Sequence, residues 1–519
     1  ASQGFSATLL VEAESFTSQG GWVVDQQSMD QMGSPYAMAH GLGRPVADAV
    51  TTVELPEAGS YRIWVRTRDW VGQWKQPDTT ESMLAKGSPG VFQVVLNGKA
   101  VAATFGEAGA EWHWQDGGAV KLPAGSLELR LHDLTGFNGR CDAIVLTTNT
   151  ALVPPNDLAS MAPFRRKLLK VSEKPVDKDH YDVVVVGGGI AGICAAISSA
   201  RHGCRTALIQ NRPVLGGNNS SEVRVGLSGL IRKKPYTNLG NLVDEIDPVG
   251  HWTLWDANKA PQLPRSKEVF EIIGKHPEKK EHNAGPASNY DDNRKLQAVL
   301  AEPNLTLFLN THVNGATMEG SRIASVIAQN IRTSERMRFN GDLFIDSTGD
   351  GNLGVLARAD FRVGRESKTE TDEGLAPAVE DQLVMGTSMQ WTSRRTAKPS
   401  PFPASLPWAV KFSDKTCVPT KKGDWNWETG ADRDQVKEIE HIRDYALRVI
   451  FGNWTVLKNH ERFSEEFLNL ELSWLAYIGG KRESRRLMGD VVLKQQDIVE
   501  QRPFEDASVT TTWTIDLHH

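Results

Sequence analysis

Over the first 150 residues the apolar positions come in short runs: Ala49–Leu55, Tyr61–Thr67, Val91–Leu96 and Leu127–His132. Gly, Pro and Asn separate them, and several alternate with polar residues, the period of a half-buried strand. Asn97-Gly98 reads as a hairpin turn, because both residue types accept positive φ. Short strands at regular spacing, with no long helical period, predict a sandwich or jelly roll over residues 1–150. Residues 151–180, Pro-bearing and then basic and polar, read as a linker.

The pattern changes at Tyr181. Tyr181–Val186 is a continuous apolar run, as in a parallel strand buried on both faces. A Gly-rich turn, the Ala-rich segment Ile190–Arg201 and a second apolar run, Thr206–Ile209, complete a β-α-β unit. Asp291–Ala301 predicts a helix, and Leu305–Leu309, Val326–Arg332 and Leu343–Asp346 predict strands of an α/β domain over 181–370. Residues 371–519 read as a substrate or cap region. Its irregular first part is followed by Asp432–Phe451, where Val436, Ile439, Ile442, Ala446, Val449 and Ile450 have amphipathic helical spacing.

With 519 residues, 39% of them apolar and 24% charged, the chain is globular and too long for one core. No apolar run approaches the roughly 18 residues of a membrane span. The net charge of −6 argues against a general nucleic-acid binder. Cys141, Cys194, Cys204 and Cys417 form no CxxC pair and no zinc-ligand spacing, so they read as structural. The opening Ala-Ser-Gln fits a cleaved secretory signal or a trimmed chain equally.

Gly187-x-Gly189-x-x-Gly192 follows a predicted strand and opens a predicted helix. One glycine makes the tight turn, another admits a pyrophosphate, and the third lets helix and strand pack closely. At the end of the second strand, where Asp or Glu usually binds ribose, stand Gln210 and Asn211. An uncharged amide there makes a weaker contact. Arg212 reads either as a cationic contact to the phosphates or as a solvated surface residue. Downstream, Leu343–Asp346 runs into a Ser-Thr-Gly-Asp turn, which moves the choice of cofactor from NAD towards FAD.

At these residues the sequence resembles the glutathione-reductase-like flavoprotein class. Within that class it resembles the bacterial FAD-dependent oxidoreductase family, through Arg212-Pro213-Val214-Leu215-Gly216-Gly217-Asn218, Ser220-Ser221-Glu222-Val223-Arg224 and Gly480-Lys481-Arg482-Glu483-Ser484-Arg485-Arg486-Leu487. The fold class expected is therefore multidomain: an all-β jelly roll, then an α/β, Rossmann-like FAD-binding core with a substrate subdomain. The resemblance implies that Gly187, Gly189 and Gly192 hold the pyrophosphate and that Gln210 lies near the adenosine ribose. It places Gly216, Gly217 and Asn218 along the flavin side, Val313 beside adenine, and Asp350 near the ribityl or pyrophosphate portion. Such proteins end with a further Gly-containing strand and a long helix facing the isoalloxazine. This chain stops at His519, so the expectation is a fragment, or a site completed by a second chain.

Flavins supply redox chemistry, and the protein orients substrate and moves a proton. The candidates are Glu222, Arg224, Arg482, Glu483, Arg485, His518 and His519. A histidine suits proton removal near neutral pH, and arginines suit a carboxylate, a hydroxylated substrate or reduced-flavin charge. The alternative for the Arg482–Arg486 group is a structural ion-pair network.

Glu12-Ala13-Glu14 and Asp142 open and close the β domain. That pairing resembles carbohydrate-binding modules with a galactose-binding-like jelly roll, in which such acids hold a structural calcium; the alternative is surface acids at strand ends. Trp70 and Trp74 are candidate sugar platforms, Asn138 a candidate sugar hydrogen-bonder, and Trp64 a core residue. The function expected is an extracytoplasmic FAD-dependent oxidoreductase that oxidises a carbohydrate or related hydroxylated substrate and passes electrons to an unidentified acceptor. Alternatives are redox-assisted glycoside cleavage, a glycan-binding protein with a redox-silent flavoprotein-like domain, and an NAD-dependent enzyme, which the Thr-Gly-Asp turn disfavours.

Overall fold

The structure, a computed structural model, describes residues 6–75, 87–227, 234–246, 283–424 and 427–508. At the N-terminus, two four-stranded antiparallel sheets face each other around one apolar core. The strand Gly125–Asp133 shows why: Leu127, Leu129 and Leu131 are buried, while Ser126, Glu128, Arg130 and His132 point outward. Each such leucine contributes about 1.5–3 kcal/mol on burial. The Asn97-Gly98 turn forms, with φ of 46° and 75°, between strands Phe92–Leu96 and Lys99–Ala100. A three-stranded sheet built from Trp22–Asp25, Tyr36–Ala39 and Gly139–Cys141 lies alongside.

The expected linker is not featureless. It contains the helix Leu158–Leu169, started by the Asp157 side chain accepting from Ser160 N at 2.9 Å. This helix packs Met161 and Phe164 against Leu10, Trp64, Trp114 and Val145 of the β domain. The sequence masks it because Pro163 interrupts the helical pattern.

Next comes a six-stranded sheet in which Val176–Val186 lies between Thr206–Ile209 and Arg336–Asp346, parallel to both. Leu305–Phe308 continues the parallel order, and Thr311–Glu319, Arg322–Asn330 and Arg336–Asp346 form an antiparallel meander. The helix Ile190–Arg201 packs on one face of the sheet with Ile193, Ala196 and Ile197. The parallel strands end at one edge, where open α/β sheets bind ligands.

The C-terminal region centres on the helix Ile439–Asn459 and a three-stranded sheet that includes Trp391–Arg395 and Leu470–Leu475. The helix starts later than Asp432, because the Asp434 carboxylate accepts from Val436 N and Lys437 N and turns the chain just before it. Its buried face meets the β domain. Arg140 pairs with Asp444 at 2.5 Å and with Glu440 at 2.7 Å, and Arg443 pairs with Asp25 at 2.5 Å. Burial works against ionisation of Glu440, but Arg68, Arg140 and Arg443 overcome it and hold its carboxyl at about 2. Among the described residues, no helix is long and apolar enough to cross a membrane.

Candidate functional site

The turn after Val176–Val186 leads into the helix Ile190–Arg201, with Gly189 as N-cap. Gly187 has φ of 104°, where a side chain is strained, and a Cβ there would meet Ser347 O at 2.2 Å. At Gly192 a Cβ would stand 1.8 Å from Gly187 O, so helix and turn pack without room for a methyl group. Gly189 is different: the nearest atom to its Cβ would be Gly217 Cα at 4.0 Å. It faces open space.

That space is a cavity of about 420 Å³, lined by residues 187–191, 210–212, 216–219, 311–313, 347–350 and 481–484, among others. The helix N-terminus supplies partial positive charge, and Arg212, Lys481 and Arg482 add cations. Gly216, with φ of 113°, forms a parallel bridge to Gly189, which brings the two glycine turns together. A backbone cradle without side chains, facing a helix N-terminus and three cations, fits a dinucleotide pyrophosphate.

The predicted cofactor residues converge here. Gly187, Gly189, Gln210, Arg212, Gly216, Gly217, Asn218, Val313 and Asp350 all line the cavity, while Gly192 sits behind it. Gln210 has a second task. Its Oε1 accepts from Gly188 N at 2.9 Å and its Nε2 donates to Val214 O at 3.0 Å. The amide therefore braces the glycine turn from the cavity wall. Asn218 donates to Lys481 O at 2.8 Å. Asp350 pairs with the Lys481 ammonium and accepts from Ser484 Oγ at 2.8 Å.

The predicted catalytic residues divide. Arg482 lines the cavity and pairs with Glu428 at 3.2 Å; Glu483 also lines it, accepts from Met385 N and pairs with Arg486. Glu222, Arg224 and Arg485 do not line it. Glu222 is one layer behind, held by Arg212 at 3.3 Å and by Tyr477 Oη at 3.1 Å, and burial raises its carboxyl above the usual range. Arg224 lies over the Trp474 ring at 3.9 Å and donates to Ser221 O and Gly285 O, and burial lowers its guanidinium to about 10. Arg485 braces Asp350 O and Asn352. Each is engaged by its neighbours, Arg485 through a carbonyl and an amide oxygen. His518 and His519 lie outside the described residues.

Sequence reasoning missed the far wall. Gln26, Gln27 and Asp30 of the N-terminal domain line the same cavity, as does His312. Asp30 Oδ1 lies 2.8 Å from His312 Nε2. Burial opposes ionisation of Asp30, but the hydrogen bond and charge of His312 outweigh it and hold the carboxyl below its ordinary value. No local motif marks these residues, because they are 282 positions apart.

Glu12, Glu14 and Asp142 also meet, but around arginines. Asp142 Oδ2 is bound by Arg66 at 2.8 Å and Arg165 at 2.6 Å, its Oδ1 accepts from Ser34 Oγ, and Arg165 lies 3.0 Å from Glu12. Burial raises the Glu12 carboxyl to about 7 and pushes Glu14 well above its ordinary value. Among the described residues, no group of three or more His, Cys, Asp and Glu is arranged to hold a metal ion. Where the sequence leads one to expect a calcium cage, Arg165, from the helix in the expected linker, stands among the acids, while both Glu12 oxygens and Glu14 Oε2 accept no hydrogen bond.

The sugar-platform expectation fails for the same kind of reason. Trp70 is 0% exposed and packs edge-on to Trp408 at 5.4 Å; Trp74 is 5% exposed and lies under the Arg448 guanidinium at 4.3 Å. Asn138 is buried and bonds His40 at 2.7 Å. Their polar loop is covered by the C-terminal region. Trp64 lies in a core, as expected.

Over 39 residues the chain is 51% identical to a soluble pyridine nucleotide transhydrogenase from Marinobacter nauticus, a stretch spanning 8% of each protein. In structure it is similar to a myxobacterial FAD-dependent chondrochloren halogenase at 13% identity, covering 44% of this chain and 46% of that one, with a TM-score of 0.25. It is also similar to a family 35 carbohydrate-binding module from Clostridium thermocellum at 17% identity, covering 27% of this chain and 97% of that one, with a TM-score of 0.20. The family described as FAD dependent oxidoreductase matches residues 182–519. The chain therefore belongs to the FAD-dependent oxidoreductase family.

Proposed function

We propose that the protein binds FAD in the 420 Å³ cavity and oxidises a hydroxylated small molecule, of which a carbohydrate is the first class to test. The observation that carries this reading is the convergence of the Gly187–Gly189 turn, the Gly216–Gly217 turn and the Ser347–Asp350 turn on one cavity in a chain of this family. Bound FAD would supply the hydride acceptor.

The chain's own residues would bind and orient. Residues 187–191 would hold the pyrophosphate, with Arg212 and Lys481 balancing its charge. Arg482 is the predicted catalytic residue best placed to hold an oxygen of the substrate. Glu222, one layer behind the cavity, is held by Tyr477 Oη and by Arg212, so it would position the Arg212 guanidinium at the cavity wall.

The glycan-binding alternative loses Trp70 and Trp74 as candidate platforms, because both are buried. The test is the visible spectrum of purified protein with release of the cofactor, then anaerobic titration with sugars and polyols. Stoichiometric FAD that is bleached by one of them supports the reading. Failure to take up FAD removes it.

A further inference from the structure

We propose that the N-terminal segment Gln26–Asp30 is a wall of the cofactor site and that the β domain holds the cofactor in place. This inference rests on the FAD reading above.

The segment joins the strand Trp22–Asp25 to the short helix Met29–Met32, and it spans the cavity between two anchors. At one anchor, Gln27 Oε1 accepts from Gly479 N at 2.8 Å and its Nε2 donates to Tyr477 O at 3.0 Å. At the other, Asp30 meets His312 at 2.8 Å. These anchors belong to different parts of the oxidoreductase fold, the C-terminal segment and the first strand of the meander. Gln26, Gln27 and Asp30 line the same cavity as residues 187–189.

Behind the segment, Arg332 donates to Glu14 O at 2.7 Å, and the buried pairs Arg443–Asp25 and Arg140–Asp444 fix the β domain against the C-terminal helix. Asp30, Val313 and Asn352 also line a second cavity, of about 600 Å³. Asp30 therefore stands on the partition between the two. Loss of its bond to His312 would open the cofactor cavity sideways. The chemistry of the wall differs from that of the glycine turn: carboxamides and a carboxylate suit the hydroxyls of a bound nucleotide, whereas the helix N-terminus and cations suit its phosphates. The N-terminal domain is then a component of the cofactor site and not a module tethered to it.

The experiment uses the full chain loaded with FAD. On dilution, recovery of flavin fluorescence gives the release rate. Removing the three anchoring contacts in the double variant Gln27→Ala, Asp30→Ala should speed release about tenfold or more; release within twofold of wild type overturns the proposal. Hydrogen exchange of the wild-type protein covers the case in which the variant does not fold. FAD should protect peptides spanning 26–32 together with those spanning 187–192. Protection at 187–192 without any at 26–32 overturns this inference and leaves the FAD reading standing. A wild-type protein that takes up no FAD overturns both.

Discussion

Two places in this molecule gather groups suited to a bound partner, and they differ in what already fills them. At the glycine turn the backbone faces a cavity, and a Cβ at Gly189 would meet nothing closer than 4.0 Å. In the acid cluster, Asp142 faces Arg66 and Arg165 and Glu12 faces Arg165, at 2.6–3.0 Å, with Glu14 buried beside them. The first site leaves its backbone cradle open, although Arg212, Lys481 and Arg482 are each paired with a carboxylate, while the second holds arginines among its acids. A cluster of suitable residues is therefore read by the space it faces as well as by the residue types it gathers.

The largest effect expected from this contrast comes from filling the open space. Gly189→Val has room for its side chain in the cavity, so the protein should fold with an unchanged Tm while FAD affinity falls at least about a hundredfold, as titration of flavin fluorescence would show. A loss of fold together with binding would mean that the turn is structural, as at Gly192.

The carboxylate cluster should answer in the opposite way. Asp142→Asn leaves two buried guanidiniums without their shared partner and should lower stability by about 3–5 kcal/mol in denaturant unfolding. FAD affinity per folded molecule should not change. Weaker FAD binding in the folded variant would couple the two regions and break the comparison.

A smaller effect is expected from pH. The Glu12 carboxyl stands at about 7 in the folded protein against an ordinary 4.5. The stability it contributes is therefore fully present below about 4.5 and is lost as pH rises through 7. Glu12→Gln should flatten that decline in thermal melts. Glu440, held at about 2, behaves in reverse: its contribution is present above 4.5 and is lost as pH falls towards 2, so the two windows separate. The smallest effect is expected on the metal: calcium or a chelator should leave Tm unchanged, since Arg165 occupies the centre of the cluster. A calcium-dependent rise in Tm would return the cluster to the class of ligand sites.

Much of the fold was legible because its signals are local. The run before Gly187, the glycine spacing and the Ala-rich helix fix a β-α-β unit within about thirty residues, and the alternation of Leu127, Leu129 and Leu131 fixes a strand. The lining of the cavity proposed for the cofactor was legible for the same reason, since its glycine turns lie at strand ends. The helix Leu158–Leu169 was not, because Pro163 breaks its pattern and its stability comes from packing on the β domain. Nor were the positions of Trp70 and Trp74, which look like solvent-facing aromatics in a polar loop until Trp408 and Arg448 cover them.

Sequence alone was enough for the β-α-β unit around Gly187, for the alternating strands of the N-terminal domain, and for where a nucleotide phosphate would meet the backbone. These follow from periodicity and from glycine's tolerance of close approach, which are properties of neighbours in the chain. Only the tertiary structure decided that Gln26, Gln27, Asp30 and His312 share the cavity, that Glu222 and Arg224 stand outside it, and that Arg165 neutralises the acid cluster. Those outcomes depend on which charges and apolar surfaces meet when distant segments dock. A contact such as Asp30–His312 leaves no trace in the residues beside either partner.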